Sequence, residues 1–179
     1  RSSSPKVLYT FGYSIENSLY TEESIREISM VARRTHGPDE HEVRLWINDL
    51  IESLRPVVVY DLASAMDGLG VVALSDNCES YMVNKSSPLV STEKVDKRIL
   101  QIGDRISEDS KCRAEELIVA KGGYDCRLLR GHVLSSAVLR FVREHSGRSG
   151  ISGEVIYTSA ISFFKYNVSN GHPHAEFYK

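Results

Sequence analysis

Tyr9-Thr10-Phe11-Gly12-Tyr13-Ser14-Ile15-Glu16-Asn17-Ser18-Leu19 is the stretch on which the reading of the fold turns. It continues the β-branched and aromatic run that begins at Lys6 after Pro5, and Gly12 closes that run. Such a run, bounded by proline and glycine, predicts a strand over residues 6–11. Ser14 is a good N-cap, so a short helical turn through Ile15, Glu16 and Asn17 is expected next. A carboxylate and an amide therefore stand side by side just past a strand end, where α/β proteins place many of their working groups.

Working outward, the pattern becomes helical. Residues 21–34 carry Ile25, Ile28, Val31 and Ala32 on one face, with Glu22 and Glu23 at the start and Arg33 and Arg34 at the end. Residues 40–54 repeat Val43, Trp46, Ile47, Leu50, Ile51 and Leu54. Pro56 then ends that helix. Residues 57–60 read as a strand, or as a new helix opened by Pro56 and using Val59, Leu62, Ala63 and Met66; the helix is favoured. Residues 70–91 are irregular, with a short strand expected over 71–74 and a mobile loop over 84–88. Further helices are expected over 92–106, 109–121, 133–145 and 153–166, the second stopped by Gly122-Gly123 and the third by Gly147. One strand and about six helices make the fold class α/β to mainly α. A lone strand makes no sheet. Its partners lie outside the chain, or come from the segments near Val57 and Val71.

The totals set bounds. The 179 residues fit one domain or a large part of one. A net charge of -2 is unlike that of a protein that coats nucleic acid, although one basic cleft remains compatible with it. Cys78, Cys112 and Cys126 form no close doublet, so three reduced thiols of a cytoplasmic protein are expected rather than a zinc site. No run approaches the ~20 apolar residues of a membrane helix. The start, Arg1-Ser2-Ser3-Ser4-Pro5, has neither methionine nor an apolar segment behind it. The expectation is a processed chain, or part of a longer one.

Each candidate for chemistry has two readings. Glu16 is a ligand or orienting base for a hard divalent cation with Asn17 as its polar support, or it is an acidic first-turn residue beside a helix dipole. Gly131-His132 opens a helix, and helix starts bind anions. There His132, with Arg127 and Arg130, would contact a nucleic-acid phosphate; otherwise the step is a helix start with a surface histidine. Arg140 and His145 have the Arg-x-x-x-x-His spacing of helical HEPN-type RNases, but basic residues also suit the negative end of any helix. His172 and His174 belong to a polar tail.

The pattern Tyr-x-x-x-Gly-Tyr-Ser-Ile-Glu-Asn-x-Leu, here Tyr9 to Leu19, resembles a bacterial family of TOPRIM-like domains found in anti-phage defence loci, fused to or beside ABC-type ATPases. Leu129-Arg130-Gly131-His132-Val133-Leu134 is similar to that family's glycine followed by Lys or His at a late helix start. The resemblance implies the distal part of a TOPRIM-like domain over residues 1–91 and a helical C-terminal region over 92–179, or one continuous domain. It implies a nuclease effector that cuts DNA, tRNA or other RNA with Mg2+ or Mn2+, controlled by an ABC-type ATPase and with a homodimer in prospect. Glu16 would support the metal, and Asn17, Arg127, Arg130 and His132 would touch nucleic acid. The family's early glutamate and Asp-x-Asp precede this segment, and this chain has no Asp-x-Asp. The rival reading is a non-catalytic helical module that docks on an ATPase or on itself.

Overall fold

The computed structural model describes residues 14–33 and 37–170. The strand expected over residues 6–11 and the histidines of the tail lie outside them. The described part is mainly helical: α1 Ile15–Leu19, α2 Glu22–Arg33, α3 Glu40–Met66, α4 Thr92–Ile102, α5 Glu108–Ala120, α6 Gly131–Ser146 and α7 Gly153–Ser169. Among these residues the only strand-like pairing is an isolated antiparallel bridge between Met82 and Val90.

Local chemistry sets most helix starts. Asp39 accepts from Glu42 N at 2.8 Å, Ser107 from Ser110 N at 3.2 Å and Ser152 from Val155 N at 3.3 Å. Each such cap is worth about 1 kcal/mol. Gly147 ends α6 in the left-handed conformation at φ 65°, which glycine adopts without steric cost.

Three expectations are corrected. The helix predicted to stop before Pro56 runs on as one element from Glu40 to Met66, with Pro56 inside it. Pro56 is exposed, whereas Leu54, Val57, Val58, Val59 and Ala63 are buried around it. A proline deletes one N–H and crowds one carbonyl. Burying an aliphatic side chain is worth about 1.5–3 kcal/mol, so the apolar stripe on both sides outweighs the break. The strand expected over 71–74 is not one. Its amides are taken by side chains of α3: Ser64 Oγ accepts from Val71 N at 2.8 Å, and Asp61 Oδ1 accepts from Ala73 N and Leu74 N at 2.9 and 3.1 Å. Likewise α4 ends at Ile102, and a tight turn over Gly103–Arg105 carries the chain to buried Ile106.

The loop after α3 is stitched to the core. Tyr81 donates to Ala73 O at 2.6 Å, and Trp46 Nε1 donates to Pro88 O at 3.2 Å. In the core α3 packs against α2, α4 and α5, while α6 packs against α1, α2 and α7. Trp46 stacks on Phe141 with ring centroids 4.3 Å apart, joining α3 to α6. One continuous set of buried apolar residues spans both sides of residue 91.

Candidate functional site

The functional candidates meet where α1 lies across the start of α6. Ser14 N–H donates to Asn17 Oδ1 at 2.8 Å, so the asparagine returns to the N-cap of its own helix. The other end of the same amide leaves α1. Asn17 Nδ2 donates to Cys126 O at 2.6 Å and to Leu129 O at 3.1 Å. These carbonyls belong to the turn that leads into α6. That turn is held by Asp125, which accepts from Arg127 N at 2.8 Å. Asn17 is 3% exposed and both its donors are spent on protein carbonyls. Its place is that of a rivet between α1 and the α6 approach, and it offers no donor to a nucleic acid in this arrangement.

The rivet sets Glu16 against α6. A Cβ added to Gly131 would overlap Ser14 Oγ and lie 2.5 Å from Glu16 Oε2. Glu16 Oε1 is 3.8 Å from His132 Nδ1, with the Glu16 side chain 14% exposed and that of His132 77% exposed. The N-cap residue of α6, Arg130, gives its first turn no side-chain bond. The negative charge near that turn comes instead from Glu16, and a helix start favours such a charge.

Tyr20, the residue that ends α1, is buried at 2% exposure. Burial pushes its phenol up from the ordinary value, a hydrogen bond with Ser135 pulls it down, and the charges of Glu16 and Tyr157 push it up again. It therefore stands by Glu16 as a neutral hydroxyl. Tyr20, Ser135 and Tyr157 were not singled out in the sequence. The signal for Ser135 is its spacing, since it follows His132 by one helical turn.

The predicted arginines are engaged elsewhere. Arg130 grips Asp61, with Nη2 3.0 Å and Nε 3.2 Å from Oδ2, and its Nη1 reaches Asp76 Oδ1 at 3.2 Å. Arg127 Nε donates to Asp125 Oδ2 at 2.6 Å. Arg130 thus ties the approach of α6 to α3, and Arg127 is engaged within its own turn.

Arg140 and His145 take different partners. Arg140 is buried, donates through Nη1 to Ser136 O at 2.9 Å and faces Cys78 Sγ at 3.4 Å, while its Nε has no partner among the described residues. His145 turns to α3, with Nε2 3.1 Å from Glu42 Oε1 and Nδ1 2.9 Å from Phe141 O. Among the described residues the pair serves two different contacts of α6.

The described residues hold no group of three or more His, Cys, Asp or Glu side chains able to bind a metal ion. Magnesium prefers oxygen ligands in near-octahedral order. One sheltered carboxylate and one imidazole fall short of that set. The arrangement can place a negative charge at a helix start, present an exposed imidazole for proton exchange or an anion contact, and keep a neutral hydroxyl behind them. Among the described residues no helix is long and apolar enough to cross a membrane. No family model, no curated protein and no solved structure matches this chain.

Proposed function

We propose that the chain is the distal part of a TOPRIM-type nuclease effector of bacterial anti-phage defence, acting on nucleic acid under an ABC-type ATPase. The observation that carries this reading is the meeting of its two motifs. Ser14-Ile15-Glu16-Asn17 and Gly131-His132 are remote in sequence, yet Glu16 Oε1 and His132 Nδ1 stand 3.8 Å apart. Residues that serve one reaction must share one place, whereas unrelated caps need not. In this reading Glu16 holds positive charge beside the start of α6, and His132 meets a phosphate or moves a proton. The magnesium that the resemblance implies needs carboxylates in addition to Glu16, so the acidic motifs that precede this segment in the family would supply the rest.

The test uses the protein in its native reading frame with its ATPase partner. Glu16→Gln and His132→Ala should each lower cleavage of DNA or RNA by about ten- to a hundred-fold, at unchanged melting temperature. Cleavage by both variants within two-fold of wild type would overturn the assignment.

A second reading has its own observation. On α7 only Ile156 and Ala160 are fully buried, while Val155 is 58% and Tyr166 65% exposed. A helix that keeps apolar side chains outward suits a docking module. Stable partner binding with no cleavage by the native protein would select it.

A further inference from the structure

We infer that Gly131 is a positioning residue: the bare first turn of α6 is a seat that fixes the Glu16 carboxylate beside His132. The catalytic consequence rests on the nuclease reading, but the positioning itself does not. A glycine that opens a helix suggests room for an outside phosphate. Here the room is taken by the chain's own α1. A Cβ at position 131 would overlap Ser14 Oγ and come within 2.5 Å of Glu16 Oε2 and 2.7 Å of its Cδ. Real side chains do not tolerate such approaches.

The relief has one direction. The α1 backbone is tied to the α6 approach by Asn17, through Cys126 O at 2.6 Å and Leu129 O at 3.1 Å. For α1 to recede, two bonds of a buried amide must break. The Ser14 hydroxyl and the Glu16 carboxylate turn about single bonds at far lower cost. The Glu16 side chain is only 14% exposed, so the open direction for the displaced carboxylate is toward solvent. A methyl group at 131 therefore leaves the fold in place and turns Glu16 out of its seat, away from His132. Gly131 and Glu16 act as one unit, and removal of either should have the same effect on the imidazole.

The experiment reads that imidazole in the full chain. Its ring cross-peaks are assigned by their loss in His132→Gln, then followed in Gly131→Ala, Glu16→Gln and the double variant. The expected result is that both single variants move the His132 cross-peaks in the same direction, and that the double variant matches Glu16→Gln. Unmoved cross-peaks in Gly131→Ala, or shifts that add in the double variant, would overturn the proposal. If Gly131→Ala does not fold, Gly131→Ala with Ser14→Gly removes the hydroxyl overlap and is judged by the same criterion. In a nuclease assay of the native protein, Gly131→Ala should lose as much kcat as Glu16→Gln, with no further loss in the double variant. A native protein without nuclease activity sinks the functional reading, while the cross-peaks still decide the seat.

Discussion

Asn17 shows how a residue's employment depends on what folds over it. In the sequence it stands beside Glu16 after a predicted strand, and both a polar support for a site and a helix-start amide fit that place. The structure spends its amide on Ser14 N–H, Cys126 O and Leu129 O. Nothing local announces the last two, because they arrive from another part of the chain. Asn17→Ala takes the side-chain donor from Leu129 O and leaves Cys126 O with only the Leu129 N–H at 3.2 Å, and should cost about 1–3 kcal/mol of stability. Urea denaturation of the full chain measures it, and a loss below about 0.5 kcal/mol, the size of an ordinary surface substitution, would deny the rivet. Glu16 was legible as a candidate, since an acid past a capping serine is a local pattern. The grouping of Tyr20 with Ser135 and Tyr157 was not, since it depends on how α1, α6 and α7 pack.

At the scale of elements, periodicity carried most of the helices. The stripes of α2, α5, α6 and α7 place their ends within about three residues of expectation, the usual uncertainty of helix limits. The failures share a cause: in each, tertiary contacts overrode a local signal. Pro56 reads as a stop, but α3 has buried aliphatics on both sides of it. Residues 71–74 read as a strand, but Asp61 and Ser64 offered their amides a different set of acceptors. The proline is thus a tolerated fault in an exposed position. Pro56→Ala restores an N–H and relieves the crowding of one turn of backbone, so stability should rise by about 1–3 kcal/mol. A thermal melt checks the sign. A fall would mean that the bend at Pro56 is itself needed for α3 to meet α4 and α5.

For the whole molecule, the acidic residues decide what the chain can do alone. Asp61 is gripped by Arg130, Asp67 by Arg113 at 2.8 Å, and Asp125 by Arg127. Each of these carboxylates already has a cation, and each is tied to the packing of a loop or helix end. Glu16 differs. Its side chain is 14% exposed, and its ion-pair contact among the described residues is the 3.8 Å approach of His132. A sheltered carboxylate so lightly matched favours an added positive charge nearby. One carboxylate does not hold magnesium for phosphodiester cleavage, which calls for an oxygen-rich set and often for two metal ions. The purified 179-residue chain should therefore be inert toward DNA and RNA in magnesium. If the proposed nuclease carries an early glutamate and an Asp-x-Asp in a longer chain, that longer protein should cleave, and should stop when a chelator is added. The measurement is cleavage of plasmid DNA, tRNA and single-stranded RNA by both proteins side by side. Chelator-sensitive cleavage by the short chain would show that its own carboxylates suffice. If both proteins are inert, with and without the proposed ATPase, the exposed side chains of α7 become the place to seek its work.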